Sequence, residues 1–256
     1  MLLFAVVDTI VVVLLILWLL KKKQGEKFSK KFVIKALGFG ALAVIAGLLV
    51  GFVLPADGIP GIEDPLLSGI VTAFVLAALL EEVIKYLFFR LVLRINQEVK
   101  TWHDTVIACI LVGMGFTVLE NVEYALAGSA NLLRVLFPCH LLFQFYMGYY
   151  YGKARVTKKP VYHVLSLLVP ILWHTVFDMF IVAIQKAAGP GGIENLSASL
   201  TGKTTQELMA DPKLASILVY GAGMMIVSLI CLIFLIVSLH KVSKWSKQGK
   251  LQESIE

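Results

Sequence analysis

The run Glu81-Glu82-Val83-Ile84-Lys85 sets two carboxylates and an ammonium inside an apolar stretch from Leu66 to Leu93. Each ionisable group near a bilayer centre costs about 3 kcal/mol on insertion scales. A chain keeps such a cluster for chemistry or for a fixed ion pair. On a helix Glu81 and Lys85 are four apart and Glu82 and Lys85 three apart, so either pair can meet. Further polar residues stand in later apolar stretches: Glu120, Asn121 and Tyr124, then His140 and Gln144, then His174 and Asp178. Glu120 with Tyr124, His140 with Gln144 and His174 with Asp178 each share one helix face. A carboxylate one turn from a histidine fixes its tautomer and orientation.

These residue types support two chemistries. An ionised glutamate beside a histidine can deprotonate a water that attacks a carbonyl. A second histidine, with Asp178 or Asn121 as neighbour, can donate to the resulting oxyanion. Lys85 would hold one glutamate of the pair ionised. Alternatively His140, His174 and a glutamate such as Glu120 bind zinc, which lowers the pKa of a bound water to about 7. No His-Glu-x-x-His motif is present, so a metal set has no local signature. Packing readings stand beside each group. Glu81, Glu82 and Lys85 can be a structural ion pair, and Glu120-Asn121 can join helices. His140 alone can be a satisfied core histidine, and His174 with Asp178 a structural pair. Glu123, Tyr124 and the aromatic run Phe143–Tyr151 read as packing and interface anchoring.

The elements that must position these groups are membrane spans. Of 256 residues, 59% are hydrophobic and 16% charged, which excludes an ordinary soluble domain. The expected fold is an all-α polytopic bundle of about seven spans: Leu2–Leu20, Val33–Leu54, Leu66–Leu93, Asp104–Leu126, Leu132–Gly152, Val161–Ile184 and Leu214–His240. The chain reads as one integral domain, with a core at about 66–184, peripheral helices within 1–54 and 214–240, and an extracytoplasmic loop at 185–213. That loop opens on Gly189-Pro190-Gly191-Gly192, and Thr204-x-x-Glu207 reads as a helix cap. Loops after the first, third, fifth and seventh spans are rich in Lys and Arg, and the others are poor. The positive-inside rule then puts the N-terminus outside and the C-terminus in the cytosol. The net charge of +6 therefore reports topology, not a nucleic-acid partner. Cys109, Cys139 and Cys231 make no metal spacing and read as small core residues.

Depth links the polar residues. At about 1.5 Å per residue, Glu81 and His174 lie roughly 20 Å from the cytosolic end and His140 roughly 18 Å, with Glu120 slightly nearer the outside. Four helices thus bring ionisable groups to one level. Pro170, one turn before His174, would open the backbone locally beside a water-filled cavity between spans three to six. Adjacent helix positions point about 100° apart, so Glu81 and Glu82 should not face one water equally.

Four blocks in this order resemble the PrsW family of intramembrane proteases. They are Leu80-Glu81-Glu82-Val83-Ile84-Lys85; Gly115-Phe116-Thr117-Val118-Leu119-Glu120-Asn121 with Tyr124; Pro138-Cys139-His140 leading to Gly148 and Gly152-Lys153-Ala154-Arg155; and Pro170 with His174-Thr175-Val176-Phe177-Asp178. The resemblance covers about 100 residues, Leu79 to about Ile181. It implies kinship with type II CAAX prenyl proteases and the Aph subunit of gamma-secretase. By position it implies Glu81 as base and His174 as oxyanion donor. Glu120 stands where the CAAX enzymes have histidine, Asp178 where they have asparagine, and His140 is additional. The family implies a multi-pass protease of a bacterial cell membrane, glutamate-type or zinc-dependent, that cuts a membrane-protein substrate such as an anti-sigma factor. The Aph subunit implies a second class, a scaffold without catalysis. Intramembrane Glu, Lys and His also suit a third, an ion-coupled transporter.

Overall fold

The computed structural model describes residues 2–55, 58–126, 139–189, 202 and 204–255. They fold into seven long helices and one short one. These are α1 (Leu2–Lys22), α2 (Lys30–Gly51), α3 (Pro65–Ile95), α4 (Trp102–Leu126), α5 (Cys139–Thr157), α6 (Val161–Ala188), α7 (Thr205–Ala210) and α8 (Pro212–Gln248). Helices α2, α3, α4, α6 and α8 are each long and apolar enough to cross a membrane. Helices α1 and α5 complete the bundle. The described residues contain no β-strand beyond one isolated bridge, Thr101 to Ser254.

Local chemistry sets the helix ends. The Ser29 hydroxyl caps α2 through Phe32 N–H, and Asp64 caps α3 through Leu67 N–H, with Pro65 next in the chain. Asp211 and Pro212 repeat that device at α8. Thr204 and Glu207 form the expected capping box on α7. Gly189, at φ +72°, ends α6 in a conformation that side chains resist. The residues that follow it, Pro190 to Gly192, lie outside the described part, as does Pro138. Helix α6 runs on through Pro170, so the local opening expected there does not interrupt it. The backbone irregularity lies in α3 instead: Ala73–Ala78 is a π-helical turn, which takes in one extra residue, immediately before the turn that carries Glu81.

Helices α4 and α5 form the centre. Residues 102–117 of α4 are all buried, as is most of α5. A β-carbon on Gly113 would overlap the Gln144 side chain, and one on Gly148 would meet Cys109 Cβ at 2.8 Å. These gaps draw α4 and α5 together and aim Gln144 inward. On the other side of α4, a β-carbon on Gly40 would overlap the Val112 carbonyl, and one on Gly115 the Leu37 carbonyl. Neither obstacle is a flexible side chain. Gly40→Ala is therefore expected to wedge α2 from α4 and cost about 1–3 kcal/mol, read as a lower melting midpoint of the purified protein. An unchanged midpoint would show that α2 docks loosely.

Candidate active site

Glu81, Glu82 and Lys85 project from the half of α3 that follows the π-helical turn. Glu120 comes from α4, His140 and Gln144 from α5, and His174 and Asp178 from α6. The fold brings these side chains into one cluster, the convergence that the depth argument anticipates.

Lys85 is fully buried at its centre. Its Nζ donates to Glu82 Oε1 at 2.8 Å, to Glu81 Oε2 at 3.1 Å and to His140 Nδ1 at 3.1 Å. The ammonium also lies 3.8 Å from the centre of the Phe116 ring. An ammonium cannot accept a hydrogen bond, so His140 Nδ1 is the acceptor. The His140 proton is then on Nε2, where it donates to Glu120 Oε2 at 2.8 Å. One bond thus sets the tautomer and the other fixes the ring.

The two adjacent glutamates occupy different surroundings. Glu82 is wholly enclosed. Its Oε1 accepts from Lys85 and faces His174 Nδ1 at 3.0 Å, and its Oε2 accepts from Gln144 Nε2 at 2.9 Å. Gln144 Oε1 in turn accepts from the Cys109 thiol at 3.3 Å. The Glu81 side chain keeps 23% of its surface exposed and has Lys85 as its close partner. His174 lies between carboxylates, with Nε2 at 3.0 Å from Asp178 Oδ2 and 3.9 Å from Glu81 Oε2. Its ring stacks on Phe143 with centroids 4.9 Å apart.

Four carboxylates thus surround one ammonium: Glu81 and Glu82 on Lys85 itself, Glu120 against His140 and Asp178 against His174. Counting His174 as a cation still leaves the cluster net negative. In an apolar interior such a surplus favours a further positive charge. Donor atoms of Glu81, Glu82, His140 and His174 lie within 4.8 Å of one another, and a set of nitrogens and carboxylate oxygens suits zinc. Glu120, expected beside the two histidines as a ligand, stands behind His140 instead.

A cavity of about 360 Å³ reaches this cluster between α2, α3 and α4. Glu81, Glu120, Glu123 and Tyr124 supply its polar wall; Leu48, Phe52, Leu76 and Leu80 are among its apolar residues. So α2 joins the spans that line the approach, and Glu123 and Tyr124, expected as packing residues, face the cavity. Asn121 is buried beside Glu120. Sequence reasoning gave Gln144 no role of its own, although its four-residue spacing from His140 was the available signal; it set Phe116 only within the second family block and read Phe143 as packing.

Comparison with known proteins gives consistent matches. Residues 29–198 match the family described as PrsW family intramembrane metalloprotease. The chain is 33% identical over 171 residues to the protease PrsW of Geobacillus kaustophilus, spanning 64% of this chain and 73% of that one. It is 28% identical over 179 residues to the protease PrsW of Halalkalibacterium halodurans, covering 68% and 80% of the two chains. Against the protease PrsW of Bacillus subtilis the identity is 25% over 171 residues, covering 64% and 76%. No solved structure matches the chain.

Proposed function

This chain belongs to the PrsW family of intramembrane metalloproteases, and from that premise we propose that Glu81 is the general base with which this multi-pass membrane peptidase activates water against a membrane-protein substrate. The observation that carries the assignment is the contrast between neighbours. Glu81 lines the cavity, whereas Glu82 is enclosed by Lys85, His174 and Gln144. A base must meet water and the scissile carbonyl, and Glu82 has no free face.

Each neighbour then has a task. Lys85 orients Glu81 through the 3.1 Å bond from its Nζ to Oε2. In the metal-free form of the reaction His174, held between Asp178 and Glu82, would turn one ring N–H from its carboxylate to the carbonyl oxygen as that oxygen gains charge. Glu120 and Lys85 fix the His140 ring. Were zinc bound, His140, His174 and Glu82 would be its ligands, with His140 Nδ1 and Glu82 exchanging their Lys85 hydrogen bonds for the ion. A bound zinc ion supplies Lewis-acid polarisation of the carbonyl and a more acidic water. The apolar walls of the cavity suit a hydrophobic peptide segment, and its carboxylates keep water beside it. The family resemblance supports site-1 cleavage of an anti-sigma factor. The basic loops support a bacterial cell membrane with the C-terminus in the cytosol.

The test compares membrane-protein N-termini in cells making the wild type and cells making Glu81→Gln, at matched expression. New termini on a single-pass protein, present with the wild type alone, would support the proposal and name the substrate. Identical termini with both proteins folded would sink it and favour the scaffold reading, to be followed by co-purification of a partner.

A further inference from the structure

A second cavity, of about 850 Å³, lies at the other end of α3, where the chain turns into α4. Among the described residues it is lined by four cations, Arg90 and Arg94 on α3, Lys100 in the connection and Arg155 on α5, and by no carboxylate. Its α3 wall continues into the exposed apolar side chains of Leu87 and Leu91. Leu91 and Leu87 stand about one and about two turns toward the middle of the span from Arg94. The charges are held in place, not merely present. The C-terminal segment closes one side by backbone bonds, Ile255 N–H to the Lys100 carbonyl and Trp102 N–H to the Glu253 carbonyl. Arg155 Nε donates to the Ile255 carbonyl at 2.9 Å, and among the described residues its other guanidinium nitrogens carry no ion pair. Lys100 meets Glu26 only at 3.4 Å, with both side chains largely exposed.

We propose that this cavity binds an anionic glycerophospholipid, with the phosphate among Arg90, Arg94, Lys100 and Arg155 and an acyl chain along Leu87 and Leu91. A soluble protein would use such a pocket for a free anion. Here the cationic rim sits at the end of a membrane span, above apolar side chains that face outward, the order of groups in a phospholipid. Guanidinium groups match phosphate oxygens in pairs, which gives arginine the advantage over a point charge. The bound lipid would tie the end of α3 to α5 and to the C-terminal segment, roughly two turns from Tyr86 and the polar cluster above it.

The test uses the full-length protein in neutral detergent, titrated with phosphatidylglycerol or phosphatidylcholine and read by native mass spectrometry. The wild type should retain about one phosphatidylglycerol in preference to phosphatidylcholine. Arg94→Gln should weaken retention about five-fold, and Arg94→Gln with Arg155→Gln about twenty-fold. A control, Lys30→Gln with Lys31→Gln, removes two exposed charges that do not line the cavity and should bind as the wild type does. Arg94 carries no ion pair among the described residues, so the single variant keeps the test valid if the double variant does not fold. Equal retention of the two lipids, wild-type retention in the double variant, or an equal loss in the control would overturn the proposal. Displacement of the lipid by millimolar inorganic phosphate would overturn the lipid assignment in favour of a free anion.

Discussion

Glu81→Gln is expected to slow cleavage by about 100- to 10,000-fold with the melting midpoint unchanged, whereas Glu82→Gln should cost about 3 kcal/mol of stability as well as activity. The asymmetry follows from hydrogen-bond inventory. Both oxygens of Glu82 accept: Oε1 from Lys85 and Oε2 from Gln144, with His174 Nδ1 also against Oε1. A glutamine amide has one acceptor and one donor, so either Lys85 or Gln144 would confront an N–H with its own. Turning Gln144 over relieves the clash only by giving up the Cys109 thiol contact. Glu81 presents one oxygen to Lys85, and its amide replacement can do the same while its other end meets the cavity. The measurements are the rate on the substrate found from new termini and the melting midpoint of each purified variant. A Glu82→Gln protein as stable as the wild type, or an active Glu81→Gln protein, would reverse the two roles.

Lys85→Met is expected to be the most destabilising single change in the polar cluster, by about 3–5 kcal/mol in the presence of a chelator. Methionine keeps the volume and removes the donor to Glu81, Glu82 and His140 together. Two carboxylates would then share the buried space without a cation, and His140 Nδ1 would lose the bond that fixes its tautomer. Added zinc should restore part of the loss, because a divalent ion offers the same oxygens and nitrogens a positive charge. Lys85→Arg keeps the charge, but its planar fork does not fit a site built around a compact ammonium, so it should restore stability only in part. Melting of the three proteins with chelator and with zinc decides the matter. If zinc leaves the Lys85→Met midpoint unmoved, the ammonium's place is not a cation site in the general sense.

The long helices were legible because apolar runs of membrane length, bounded by charged or glycine-rich links, leave few alternatives. The cluster was legible because Glu81, His140 and His174 fall at one depth when each is counted from its own basic loop. What lay beyond the sequence was rotation. Counting residues places a side chain along an axis, but which way it points around that axis depends on the neighbours. Thus Glu120 reads equally well as a ligand or as the partner behind His140, and only the packing of α4 against α5 decides. Gln144 reaches Glu82 because Gly113 leaves room for it, a fact about two helices at once. The seat of the Lys85 ammonium over Phe116 is of the same kind.

The π-helical turn at Ala73–Ala78 makes α3 two gears on one shaft. Its first half meshes with α6, where a β-carbon on Gly69 would overlap the Met179 carbonyl. Its second half meshes with the polar cluster through Glu81, Glu82 and Lys85. Each helical residue turns the shaft by about 100°, so the extra residue sets the angle between the gears without bending the axis. Losing one residue there would leave a straight, fully bonded helix with both faces intact and mistimed, the carboxylates swung away from His174 while Gly69 still sat in its groove.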